Sequence, residues 1–96
     1  MPILRQYVMI AAVGREDALC KALIELAAKV RPIEGCEDVE LYQDAARPAY
    51  FVFIERWVSI DIHKAAARQL GKEALADVLA VLMQPPEGRY LEPIAL

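Results

Sequence analysis

The chain contains no asparagine and no threonine, and Ser59 is its only serine. A Ser-His-Asp hydrolase would have to combine that serine with His63, the only histidine. Ser59 already has a local use, because it stands where a helix begins and a side-chain oxygen caps free backbone N–H groups. Cysteine is scarce too. Cys20 and Cys36 form no CxxC pair and lie far from the histidine in sequence, so free thiols in a reducing compartment are expected. One histidine among scattered carboxylates has no zinc-ligand spacing. The four glycines are isolated, which excludes a glycine-rich phosphate loop.

Long apolar runs are missing as well. Tyr7–Val13 and Val78–Met83 fall far short of the roughly 20 residues that span a bilayer. No basic N-terminal region leads into an apolar core, so no signal peptide is evident, and a soluble, cytoplasmic protein is expected. The net charge is −3 and the Lys and Arg residues form no stripe. Neither nucleic acid nor a membrane is therefore an expected partner.

What is present is apolar material in excess. The 96 residues predict a single domain, 1–96, whose own core is modest, yet the hydrophobic fraction is 57%, against the usual ~45–50%. A partner subunit is the simplest cover for the surplus.

The densest stretch is Tyr50–Arg68, YFVFIERWVSIDIHKAAAR, read as a strand running into a helix. Strand alternation puts Tyr50, Val52, Ile54 and Arg56 on one face and Phe51, Phe53, Glu55 and Trp57 on the other. Ser59 caps the helix, Asp61 suits its first turn, and Ile62, Ala66 and Leu70 make its apolar line. The single Trp and the single His lie six residues apart across this junction, which makes it the candidate site. Glu55, on the apolar face, must be paired or have a raised pKa. A salt bridge with an arginine across a dimer is the favoured reading, and a base in an apolar pocket is the other.

Ahead of this stretch, Met1–Gln6 reads as a lead-in and Tyr7–Val13 as a strand buried on both faces. Arg15–Val30 follows as a helix with Leu19, Leu23, Leu26 and Val30 facing the core. Cys36–Asp44 is a weaker strand and Asp44–Ala49 a hairpin loop. After Gly71, Lys72–Met83 predicts a second helical segment on Leu75, Val78, Leu79 and Leu82. Gly88–Ile94 predicts a last strand, with Pro93 at its end. The order β-α-β-β-α-β, with its second helical region split near Gly71, is the ferredoxin-like α+β pattern, an antiparallel sheet with helices on one face. The other sheet face stays apolar and open, so a homodimer packed sheet to sheet is expected.

With Glu55-Arg56-Trp57 closing a strand, His63 in the capped helix after it, and Arg89-Tyr90-Leu91-Glu92-Pro93 closing the chain, the sequence resembles the antibiotic biosynthesis monooxygenase family along nearly its whole length. The resemblance implies a ferredoxin-like subunit in a dimeric α+β barrel. It also implies oxidation of a small aromatic polyketide or quinol by dioxygen, without metal, flavin or other cofactor. By analogy Trp57 and His63 are the candidate catalytic residues, the indole N–H donating to a substrate oxygen and the imidazole acting as base or orienting donor. Tyr7, Phe53 and Glu55 are candidates for contact with the aromatic ligand. Several oxygenases of the family use an asparagine on the first strand, where Tyr7 or Met9 stands here. That departure points away from the haem-degrading relatives. It leaves open a non-catalytic ligand-binding or interaction module, or an isomerase or decarboxylase on the same scaffold.

Overall fold

The computed structural model describes residues 2–96. Four strands form one antiparallel sheet in the order β2-β3-β1-β4: β1 is Ile3–Ile10, β2 Cys36–Gln43, β3 Tyr50–Trp57 and β4 Glu87–Leu91. Helix α1 (Glu16–Val30) joins β1 to β2. Helix α2 (Ile60–Leu70), a 3₁₀ turn (Lys72–Leu75) and the single turn α3 (Ala76–Leu79) join β3 to β4. This is the ferredoxin-like order expected from the sequence.

The register explains the two faces. Directly opposed residues share a face, and β1 pairs with β3 as Arg5↔Glu55, Tyr7↔Phe53 and Met9↔Phe51. These residues and Trp57 lie under the helices, where Phe51, Phe53, Glu55 and Trp57 are all buried. The intervening residues, Leu4, Val8, Ile10, Val52 and Ile54, are only half-buried on the bare face. Helix α1 closes the core with Leu19, Ala22, Leu23, Leu26, Ala27 and Val30 buried along one side.

Four expectations need correction. Strand β1 starts at Ile3, so Ile3–Gln6 of the supposed lead-in belongs to the sheet, Met1 lying outside the described residues, and the strand stops at Ile10, with Ala11 making only an isolated bridge to Leu82. The polar pair Arg5-Gln6 hid it: Arg5 folds against two aromatic rings and Gln6 lies on the bare face. Helix α2 buries His63 and Ala66, while Ile62 is 40% exposed. The expected apolar line was therefore one position out of phase at its start. The segment Lys72–Met83 is not one helix. Its end is captured by the sheet, where Ala12 N–H donates to Val81 O and Met83 N–H to Ile10 O, both at 2.8 Å. Leu79, counted as core, is 49% exposed. Strand β4 ends at Leu91, opposite Leu4, because β1 offers no partner beyond that register.

The loop into β2 is held against the β3–α2 junction by Gly35, whose carbonyl accepts from Val58 N–H. Gly35 has φ +94°, and a Cβ there would stand 2.2 Å from Ile62 Cγ2 and 3.8 Å from the Trp57 ring. Both the conformation and the space demand glycine. Gly35→Ala is expected to cost about 2 kcal/mol and lower Tm by roughly 10 °C in a thermal melt followed by circular dichroism. An unchanged Tm would show that this loop is not clamped.

Candidate active site

The site is assembled where β3 passes into α2. Ser59 is extended (φ −158°, ψ 165°), and its Oγ accepts from Ile62 N–H at 3.2 Å, capping α2. The cap sets the helix phase, so His63 in the first turn faces back over the sheet. Its ring lies edge-on to Trp57 at 5.4 Å between centroids. Glu55, two residues before Trp57 and on the same face, accepts the indole Nε1–H on Oε1 at 2.8 Å. The same oxygen lies 3.6 Å from His63 Nε2. Tyr7 Oη is 3.4 Å from Nε2, and Tyr90 Oη is 2.7 Å from Nδ1. Both histidine nitrogens are therefore engaged.

One tautomer satisfies this arrangement best. With its hydrogen on Nε2, the imidazole directs it between the Glu55 carboxylate and the Tyr7 oxygen, while Nδ1 accepts from the Tyr90 hydroxyl. The other tautomer would face a lone pair towards the carboxylate. The Tyr7 hydroxyl hydrogen is then left free to donate elsewhere.

A sixth side chain holds the two phenols. The Arg5 guanidinium lies 4.8 Å from the Tyr7 ring centroid and 4.4 Å from that of Tyr90, within cation–π range of both. Its Nε is buried with no hydrogen-bond partner among the described residues. Gly88 makes the approach possible: a Cβ there would come within 2.5 Å of Arg5 Nη2.

Burial dominates the electrostatics. It lowers the His63 pKa to about 4, assisted by the positive charges of Arg5 and Lys64. Burial raises the Glu55 pKa, opposed by the Trp57 hydrogen bond and by Arg5. Burial also raises the Tyr7 pKa, and the neighbouring Arg5 opposes it. At neutral pH the imidazole is uncharged. An unfolded chain would protonate it near 6.5, so enclosing it leaves stability untouched above that pH and weakens the fold as pH falls from 6.5 to about 4. Glu55 acts in the opposite sense. Its folded carboxyl holds a proton to a higher pH than the unfolded value of 4.5, so its burial weighs against the fold at neutral pH and less so in acid.

The cluster forms the polar end of a cavity of about 80 Å³ between the sheet and the helices. Tyr7, Glu55, Trp57 and His63 line that end; Met9, Leu26, Val30 and Ile33 form the apolar wall. Leu70, Gly71, Leu75 and Leu79 lie at the outer side, where α2 gives way to the 3₁₀ turn. No group of three or more His, Cys, Asp or Glu side chains suited to a metal ion occurs among the described residues.

Four of the five candidates thus meet at one place. Phe53 does not line the cavity. It is fully buried behind Tyr7, its ring 6.4 Å away and tilted. Trp57 is present but its indole N–H is occupied by Glu55, so it is not directed at a ligand. Glu55 finds partners within its own chain, Trp57 and His63, on the face under the helices, and Arg56 lies on the bare face as expected. Arg5 is not among the candidates the sequence offers, and Tyr90 enters there only as part of the closing strand. Alternation from Arg5 through Tyr7 to Met9 was the available signal, masked once β1 was taken to begin at Tyr7.

A ferredoxin-like subunit with a small apolar cavity ending in a carboxylate, an imidazole and phenols defines the class. The family model for antibiotic biosynthesis monooxygenase matches residues 3–69, and the chain belongs to that family. No curated protein matches the sequence. Among solved structures, PA3566 from Pseudomonas aeruginosa superposes with a TM-score of 0.82 at 26% identity, covering 98% of this chain and 95% of its own. A candidate antibiotic biosynthesis monooxygenase from Chloroflexus aurantiacus does so with a TM-score of 0.80 at 26% identity, covering 99% and 95%. A mutant of SnoaB, a cofactor-independent oxygenase from Streptomyces nogalater, shares the fold with a TM-score of 0.82 at 13% identity, covering 99% and 95%.

Histidine-selective ¹H–¹⁵N spectra are expected to show His63 neutral, with its hydrogen on Nε2, from pH 7 down to about pH 4. A ring titrating near 6.5 would mean that the cluster is open to water.

Proposed function

We propose that the protein is a cofactor-independent monooxygenase that oxidises a small aromatic polyketide or quinol with dioxygen. The observation that carries this reading is the cavity: apolar walls ending in a buried carboxylate, a neutral imidazole and a phenol, on the scaffold of a monooxygenase family. A phenolic substrate that loses its hydroxyl proton becomes electron-rich enough to reduce dioxygen itself. For an anthrone-type methylene, one oxygen atom then becomes the new carbonyl and the other leaves as water. The protein has to accept a proton, hold the anion and exclude water. The Glu55–His63 pair supplies the acceptor, the free Tyr7 hydroxyl hydrogen supplies a donor to the substrate oxygen, and Trp57 fixes Glu55 in place.

The same reading makes the molecule a cytoplasmic homodimer packed sheet to sheet. Leu4, Val8, Ile10, Val52 and Ile54 supply a contiguous apolar face that the helices leave bare. The two free thiols, Cys20 and Cys36, suit a reducing compartment, and no helix of the described chain is long and apolar enough to cross a membrane. The second reading is a binding module without turnover, favoured by the lack of asparagine and by Tyr7 being tied to His63.

Oxygen uptake with a panel of anthrones and reduced quinones separates the two. Uptake above autoxidation is expected, falling about 100-fold in His63→Ala and about tenfold in Trp57→Phe. Uptake equal to buffer across the panel, beside measurable ligand binding, would replace the oxygenase with the binding module. Light scattering should return twice the mass of one chain, and Val52→Glu should return a folded monomer or insoluble protein. A wild-type monomer at micromolar concentration would remove the sheet-to-sheet pairing.

A further inference from the structure

We propose that Tyr90 is the proton path between His63 and solvent, a positioning residue through which the buried imidazole passes protons to and from the cavity. This rests on His63 taking part in chemistry at the cavity, as above, but not on that chemistry being an oxygenation.

His63 stands between the cavity and Tyr90. It is 6% exposed and lines the cavity with Tyr7 and Glu55, whereas Tyr90 does not line it. Nε2 lies at the cavity end, 3.4 Å from Tyr7 Oη and 3.6 Å from Glu55 Oε1. On the other side of the ring, Nδ1 meets Tyr90 Oη at 2.7 Å, and no other described group bonds it. Tyr90 is half-buried on β4, the edge strand, beside the exposed Gly88 and Arg89. No described group except His63 bonds its hydroxyl, whose remaining hydrogen-bonding capacity is left to water.

The kind of partner decides what the ring can do. A backbone carbonyl or a carboxylate, the common partner of an orienting Nδ1, only accepts and so fixes one tautomer. A hydroxyl both donates and accepts. With Tyr90 at Nδ1 and Tyr7 at Nε2, the ring hydrogen can sit on either nitrogen and both nitrogens keep a partner. The two nitrogens are also coupled. Releasing hydrogen from Nε2 alone would leave a buried imidazolate, and gaining one at Nδ1 alone would leave a buried cation, which the pKa of about 4 disfavours. Nε2 therefore gives up its hydrogen as Nδ1 receives another, and Tyr90 is the group placed to supply it.

The steps balance. From the resting tautomer, solvent gives a proton to Tyr90 Oη, the Tyr90 hydroxyl hydrogen moves to Nδ1, and the Nε2 hydrogen moves to an oxygen in the cavity. At each station one bond to hydrogen forms as another breaks, and no electron is transferred. The reverse sequence carries a proton out and restores the resting tautomer. The proposed reaction uses one pass each way: a proton leaves the substrate hydroxyl, and one returns to the oxygen that departs as water.

The surroundings hold the relay together. Tyr90 stands opposite Arg5 in the sheet, and the guanidinium lies 4.4 Å from its ring centroid. Its ring is edge-on to that of His63 at 5.3 Å. A tyrosine on a short, exposed strand is thereby kept at Nδ1.

Tyr90→Phe is the test, because it keeps the ring beneath Arg5 and removes only the hydroxyl. Exchange of the His63 ring hydrogen with solvent, followed by ¹H–¹⁵N NMR without ligand, is expected to slow at least about tenfold. The backbone amides of Phe53 and Trp57 should exchange as in the wild type. On the quinol panel, kcat is expected to fall about tenfold at unchanged KM and to recover when free imidazole is added as a proton carrier. A purely structural role would give no such recovery. Should circular dichroism show that Tyr90→Phe does not fold, Tyr90→3-fluorotyrosine takes its place, and its more acidic hydroxyl should speed ring exchange about threefold. Ring exchange unaltered in a folded variant, or a kcat that is unaltered or not recovered by imidazole when the wild type turns over, would overturn the proposal. Slowed exchange in a protein that consumes no oxygen on the panel would sink the oxygenase reading and leave the relay standing. Uptake with unaltered ring exchange would do the reverse.

Discussion

A carboxylate placed in the apolar half of a small domain constrains everything around it. Glu55 sits on β3 between Phe53 and Trp57, under the helices, where an unpaired charge would cost several kcal/mol. The fold answers with a hydrogen bond from the indole that follows two residues later on the same face, and with an imidazole brought over by α2. Each answer has further requirements. The α1–β2 loop passes beside the indole and against Ile62 of α2, an approach that requires glycine at residue 35. The imidazole must enter in the first turn of α2, which Ser59 fixes by its cap. The chain's single Ser, Trp and His thus serve one buried acid.

The same demand explains why an apparently structural element also forms a site. Helix α2 buries only His63 and Ala66 against the sheet. A helix docked by so little apolar surface leaves room beneath it, and the cavity occupies that room. Helix α1, with six buried residues, closes the sheet and contributes Leu26 and Val30 as a wall. The packing is therefore uneven: one helix supplies stability and the other supplies space and polar chemistry.

Much of this was legible in the sequence. Strand β3 has the expected bounds, because an aromatic and β-branched octad cut off by Ser59 admits few alternatives. Helix α1 begins one residue after the expected start and ends where expected, with acidic residues at its N-terminus and a periodic leucine stripe. The faces of β3 followed from alternation, and with them the grouping of Glu55 and Trp57. The failures share a cause. Arg5 looked too polar for a buried strand because its stabilisation comes from two rings on other parts of the sheet, Tyr7 two residues on and Tyr90 far away in sequence. Tyr90 could not be placed because a pairing of β4 with β1 spans nearly the whole chain. The leucines after Gly71 suggested a helix, but backbone groups of Ile10 and Ala12, at and just past the end of β1, claimed that backbone instead. Long-range partners decided these cases, and local pattern carries no record of them.

The clamp at Arg5 ties a chain end to the site. Strand β4 is short, its residues are mostly exposed, and it sits at the sheet edge, yet it delivers Tyr90 to His63 and lays Gly88 under the guanidinium. Its Leu91 lies opposite Leu4 on the bare sheet face. A second copy seated on that face would press on the strand that positions the hydroxyl at Nδ1. Because coupling between two binding events is reciprocal, occupancy of the cavity and pairing of subunits would each report on the other. Affinity at the site would then depend on protein concentration.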